Sequence, residues 1–236
     1  MRRNFGAKPM VYPMPVFIIG AYDKNGVANA MNAAWGGISE ENEITICVSD
    51  DHKTTLNFLE TGAFTVSMAT VDYVAECDYL GIVSGNDVPN KIEKCGFHTF
   101  KSEFVNAPII SELPMCLECR VKSYDKESCR LVGEIVNVSA DESVLTEKGR
   151  IDVSKLRPIT YDSSNHKYIA LGECENGDEL FVGFKFKKLD GGRYRTSRVV
   201  YEMTDEYREL YASRTKHGAF GKTKEEAMEA IAALKV

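Results

Sequence analysis

The chain has 236 residues, 44% of them hydrophobic, enough to bury a sizeable core as one domain with room for an appendage. A formal net charge of −6 argues against a general affinity for nucleic acid or anionic membrane. Seven cysteines, an odd number scattered through strand-like and helix-like segments, fit free thiols in a reducing cytoplasm better than a disulfide framework.

Residues 1 to 15 read as an irregular arm, since Pro9, Pro13 and Pro15 lack amide donors and disfavour a central strand. The apolar run from Val11 to Tyr22 is broken by Pro13 and Pro15 and is followed by no small-residue cleavage site. It is read as neither a signal peptide nor a bilayer span. Val16 to Tyr22 forms a strand, and Asp23-Lys24-Asn25-Gly26 contains the Asn-Gly hairpin signal. A second strand leaves the turn at Val27 and carries Asn29 to Ala34. The only tryptophan, Trp35, follows, and then Gly36-Gly37, which suits a turn. Ile44 to Ser49 is the third strand. Lys53 to Thr61 is a short helix stopped by Gly62 before a strand from Ala63 to Met68.

Ser49, His52, Lys53, Thr54 and Thr55 gather where that helix begins. Free backbone N–H groups and the positive end of the helix dipole favour an anion there. With the small residues of 29 to 34 and Trp35 to meet a ring, the two segments suit a flat ligand with a phosphate tail. A plainer reading stays open beside it: Asp50 or Asp51 caps the helix, and Trp35 is a core aromatic.

Thr70 can cap a further helix through Val71, Tyr73, Val74, Cys77 and Tyr79. Asp78-Tyr79-Leu80-Gly81-Ile82-Val83-Ser84-Gly85 reads as that helix's end with turn residues. From Ile109 onward the pattern is all-β, with long alternating runs at Met115 to Tyr124 and Ser128 to Ser139 around Asp125-Lys126-Glu127. Cys116 and Cys119 spell C-x-x-C, but residues three apart on a strand face opposite sides, so they are assigned to packing and no metal site is expected. Two shorter strands follow at Arg157 to Tyr161 and Lys167 to Gly172. Residues 185 to 198 are basic, and helical patterns follow at 204 to 212 and 224 to 234, the second with a capping box at Thr223 and Glu226. This tail, 185–236, reads as a basic linker and a helical extension to a domain of residues 1–184. Many short strands with few helices point to a mainly β fold, a split β-barrel of Greek-key type.

The run Asn29-Ala30-Met31-Asn32-Ala33-Ala34-Trp35-Gly36-Gly37, then a strand and Ser49-x-x-His52-Lys53-Thr54, resembles the flavin reductase-like family of FMN-binding split barrels, its flavoredoxin branch in particular. The Asp78 to Gly85 segment, Lys91 and the stretch ending at Leu171-Gly172 also resemble that family, and the resemblance runs from about Pro13 to Phe184. It implies FMN as cofactor and a homodimer with each flavin near the subunit boundary. Asn29, Ala30, Met31, Asn32 and Trp35 would lie along the isoalloxazine and ribityl chain. Ser49, His52, Lys53, Thr54 and Thr55 would hold the phosphate, with Ser84 near the cofactor. NAD(P)H would be the reductant, and free flavin, an iron centre or a redox partner protein the acceptor. The chemistry would belong to the flavin, so no catalytic side chain is expected. An electron carrier that does not turn over NAD(P)H, and a non-redox ligand-binding barrel, are the alternatives.

Overall fold

The computed structural model describes residues 1–171, together with two short strands, Phe186–Lys188 and Tyr194–Thr196. Strands β1 (Phe17–Tyr22), β2 (Ala28–Ala33), β3 (Gly36–Glu40), β4 (Glu43–Cys47), β5 (Ala63–Met68), β8 (Met115–Asp125) and β9 (Arg130–Ala140) form one seven-stranded sheet in the order β2-β1-β5-β8-β9-β4-β3. Every pairing in it is antiparallel. Two-stranded ribbons are added by β6 (Thr99–Lys101) with β7 (Pro108–Ile110), and by β10 (Ile159–Asp162) with β11 (Lys167–Ala170). The basic stretch after residue 184 contains an antiparallel hairpin, β12 (Phe186–Lys188) with β13 (Tyr194–Thr196). The expected helices at 204–212 and 224–234 lie outside the described residues.

The strand order makes the sheet curl. β2 and β3 occupy its opposite ends, yet only Ala34 and Trp35 separate them in sequence. Consecutive Cα atoms are 3.80 Å apart, so the ends of these two edge strands lie within about 11 Å of one another. A flat seven-stranded sheet cannot satisfy that limit. The sheet rolls into a half-closed barrel, the split-barrel fold that the strand pattern implied, with the seam at Trp35, whose carbonyl accepts a hydrogen bond from the Cys47 amide at 2.8 Å. Gly36 and Gly37 begin β3 and pair with Ile46 and Thr45, so a strand stands where a turn was expected.

Burial follows the two faces. Five consecutive residues of β1 are buried because both its faces are covered. Phe17, Ile19 and Ala21 join Phe64, Val66 and Leu131 inside the barrel. Ile18 faces a second core with Ala30, Cys77, Leu80 and Ile92, under helices α2 (Val74–Ile82) and α3 (Lys91–Lys94). A short 3-10 turn, Val71–Tyr73, precedes α2, and Thr70 stands before it without a side-chain cap bond.

Helix α1 (Lys53–Thr61) closes one end of the barrel with Phe58, whose ring lies 5.5 Å from Phe64 and 6.4 Å from Tyr124. Gly62 ends the helix in the left-handed conformation, φ 75°, and returns its amide to the Phe58 carbonyl. The expected C-x-x-C divergence holds: Cys119 sits in the barrel core with Leu117, and Cys116 is outside that cluster. Burial pushes the Cys116 thiol up to about 11, so it stays protonated and inert at neutral pH.

Candidate functional site

Asn29, on β2, is the junction of the segments singled out in the sequence. Its side chain is buried, and its Oδ1 accepts a hydrogen bond from Thr54 Oγ1 at 2.8 Å. That bond ties β2 to the first turn of α1. On its other side the Asn29 amide meets Gly85, where an added Cβ would come within 2.2 Å of Asn29 Nδ2. Gly81 approaches Asn32 similarly, with 3.0 Å between an added Cβ and the Asn32 Cβ. The segment from Asp78 to Gly85 is therefore a wall against β2, and its glycines permit the close approach.

The wall is itself anchored. Lys91, 2% exposed, donates from Nζ to the carbonyls of Leu80 and Val83 at 2.8 and 2.7 Å. Burial pushes its ammonium down to about 8, while the two carbonyls favour the charged form. Asn32 Nδ2 donates to the Cys77 carbonyl at 3.0 Å and to the Tyr168 hydroxyl at 3.3 Å. Tyr168, on β11, donates in turn to Asp78 Oδ1 at 2.7 Å. Burial and the Asp78 carboxylate push the Tyr168 phenol well up, so it remains a donor at any ordinary pH.

The start of α1 has the character of an anion site. His52 occupies the N-cap position with no side-chain cap, and the first turn holds no acidic residue. The backbone N–H groups of Lys53, Thr54 and Thr55 have no hydrogen-bond partner among the described residues. Neither aspartate caps the helix. Asp50 is drawn away by Lys126 at 2.7 Å, which holds its carboxyl below the usual range, and Asp51 is exposed beside His52 at 3.8 Å. Lys53 Nζ sits 3.8 Å from Asp23 Oδ2. The Val27 amide, with help from Asn25 and Lys53, holds Asp23 below the usual carboxylate range.

The candidates are thus unequally placed. Asn29, Lys53 and Thr54 converge with Gly85 and the open helix start. Alternation along β2 sends Met31 into the barrel core, while Ala30 joins the α2 side and Asn32 bonds to the Cys77 carbonyl there. As an end strand of the sheet, β2 also turns the N–H and C=O groups of every second residue outward. Ser49 is half-buried and His52 exposed. Thr55 is fully buried, and its Oγ1 has no hydrogen-bond partner. Trp35, 56% exposed, lies at the seam, and Ser84 Oγ accepts from the Asn86 amide at 3.1 Å on an exposed turn. Sequence reasoning does not name Gly85, Asp78 or Tyr168 as site residues. Their segments are visible as motifs, but only packing shows that Gly85 meets Asn29, Tyr168 meets Asn32 and Asp78 holds Tyr168.

An uncapped helix start, a lysine at its first residue and a close glycine wall suit a phosphate joined to a flat ring, and the residues present fit FMN. A shallow cleft of about 410 Å³ elsewhere on the surface, lined by Asp72, Tyr73, Glu112, Asp141 and Lys155, shares none of these residues. No cluster of metal-ligating side chains occurs among the described residues.

Comparison with known proteins gives a consistent picture. The family described as "Flavin reductase like domain" matches residues 10–169. The chain is 34% identical to the flavoredoxin of Desulfovibrio vulgaris (Miyazaki F), with 74% of this chain and 95% of that one covered and a TM-score of 0.71. It is 30% identical to the flavoredoxin from Methanosarcina acetivorans, with coverage of 75% and 95% and a TM-score of 0.65. An uncharacterized protein of Aquifex aeolicus (strain VF5) is 25% identical over 178 residues, 70% of this chain and 89% of that one.

Proposed function

Since the chain belongs to the flavin reductase-like family, we propose that it binds FMN between β2, the 78–85 wall and the start of α1, and that it works as an NAD(P)H-dependent flavin oxidoreductase. The observation that carries this reading is the α1 start, uncapped and with no acidic residue in its first turn, joined by the Thr54–Asn29 bond to the edge strand. Lys53 and the first amides of α1 hold the phosphate, where a helix N-terminus favours negative charge. Asn29 and Asn32 fix the ring side of the site. Bound FMN supplies hydride acceptance and onward electron transfer, and the protein supplies binding, orientation and electrostatics. No described side chain is needed as nucleophile or general base. The sequence holds no Gly-x-Gly-x-x-Gly motif, so the nicotinamide would dock without a dinucleotide fold of its own.

The test is an absorption spectrum of the purified protein, chromatographic identification of the released chromophore, and anaerobic addition of NADH or NADPH. FMN released from the protein, and bleaching by a nicotinamide without an added reductase, are the expected results. FAD, or no flavin after reconstitution, would overturn the reading. A second reading is an electron carrier reduced by a partner protein, and the likeness to two flavoredoxins favours it. Bound FMN that no nicotinamide bleaches, but that an added reductase protein does reduce, would decide for the carrier. We also infer a homodimer, because Trp35, Ile38, Leu56 and Leu59 are large apolar side chains left 39–66% exposed.

A further inference from the structure

The amide of Asn32 is oriented by chemistry. The Cys77 carbonyl, 3.0 Å from the amide, can only accept a hydrogen bond. The Tyr168 hydroxyl commits its single proton to Asp78 Oδ1 at 2.7 Å, so it too faces Asn32 as an acceptor, at 3.3 Å. Turned over, the amide would set its oxygen against two others. Nδ2 therefore points to α2 and β11, and Oδ1 is left without a donor among the described residues. That free acceptor stands on β2, next to the wall that Gly81 and Gly85 bring against the strand.

We propose that Tyr168 and Asp78 are positioning residues for the flavin ring, locking the Asn32 amide so that Oδ1 accepts a hydrogen bond from an isoalloxazine N–H. This rests on the flavin reading above and deepens it. The oxidised ring offers a single N–H among several acceptors, so an oxygen fixed at Asn32 selects one ring orientation, and an amide free to turn does not. Asp78 acts at one remove: it takes the Tyr168 proton and leaves the phenol oxygen to Asn32. The residues come from three separate elements, and Asn32 and Tyr168 are 136 positions apart. The C-terminal ribbon of the described barrel thereby reports directly to the ring site.

The test is made on the full-length protein with Tyr168→Phe, Asp78→Ala and Asp78→Asn. Tyr168→Phe removes one oxygen and keeps the ring packed on Tyr161, whose centroid lies 5.5 Å away. Asp78→Asn keeps an acceptor for the phenol and serves as the rescue. Dissociation constants are measured for FMN and riboflavin, with visible spectra of the bound flavins and thermal unfolding of each protein. The expected result is an equal loss for both flavins, about 3- to 10-fold, in Tyr168→Phe and Asp78→Ala, the worth of one or two neutral hydrogen bonds. The visible bands of the remaining bound flavin should shift, and Asp78→Asn should match the parent. Parent-like affinity and spectrum in Tyr168→Phe would overturn the positioning role. So would a loss confined to FMN, or a lowered Tm with an unshifted spectrum. A parent protein that binds neither flavin would overturn the flavin reading itself, and this proposal with it.

Discussion

Lys53 and Thr54 are adjacent in sequence and do different work. Lys53 is partly exposed, its ammonium 3.8 Å from Asp23, while Thr54 is 1% exposed and bonded to Asn29. Lys53→Ala should cost about tenfold in FMN affinity, the lower end of a charge-assisted hydrogen bond, because the ion pair already shares the charge. Riboflavin affinity, which lacks the phosphate contribution, should not change, and equal losses for both would place the phosphate elsewhere. Thr54→Ala instead leaves the buried Asn29 oxygen unpaired and should lower stability by about 1–3 kcal/mol in urea unfolding. The sequence alone places Thr54 in the first turn of a short helix, and only the tertiary bond to Asn29 shows that it is buried. Lys91 gives a pH prediction. Its pKa of about 8 in the folded chain lies below the ordinary 10.5, so between those values the unfolded state binds more protons. Stability should therefore rise from about pH 8 to pH 10.5, by up to about 3 kcal/mol. Below pH 8 the lysine is charged in both states and adds no slope. Subtracting the same profile for Lys91→Met isolates the effect, and a flat difference would contradict it.

Helix α1 shows where a sequence pattern misleads. Leu56, Phe58 and Leu59 are the apolar signal that makes the helix legible, yet Leu56 and Leu59 are 49% and 39% exposed. The buried face is Thr54, Thr55, Asn57 and Phe58, and two of its polar atoms, Thr55 Oγ1 and Asn57 Nδ2, have no partner. Only Phe58 plugs the barrel, so Phe58→Ala should cost about 3–5 kcal/mol. Leu56→Glu with Leu59→Glu should leave the unfolding midpoint close to the parent and convert a dimer to monomers in light scattering. A monomeric parent would sink the dimer inference, and unfolding of the double variant would show that the helix face is buried. The wall residue Gly85 belongs to this scale as well. Gly85→Ala drives a methyl into an amide already held by Thr54, so lower stability, by about 1–3 kcal/mol, and weaker flavin binding should appear together.

For the whole molecule, the barrel class was legible because alternation and turn residues repeat along the chain. The long hairpin of β8 and β9 and the Asn25-Gly26 turn needed no tertiary information. Strand β3 was hidden, since its glycines, serine and glutamate suit a loop and only pairing with β4 makes them a strand. The candidate site was half visible. Asn29, Lys53 and Thr54 lie in recognisable motifs, whereas Asp78, Gly85 and Tyr168 matter through contacts between distant segments. Six described cysteines are free, and no Cys116–Cys119 bridge should form in air, as a thiol count under denaturing, non-reducing conditions would show. No helix among the described residues is long and apolar enough to cross a membrane.

The two-residue link that joins the sheet's opposite ends also carries the chain's only tryptophan. Intrinsic emission excited at the indole band thus comes from one address, and that address is the joint between the two edge strands. Trp35, half-exposed in the single chain and more covered in a dimer, should move to the red as the two edge strands separate. A denaturant titration followed by this emission reads the joint, while far-ultraviolet dichroism reads the strands as a body. Coincident curves would mean that the fastening and the fabric fail as one event; an earlier shift at Trp35 would mean that the barrel unbuttons before it melts.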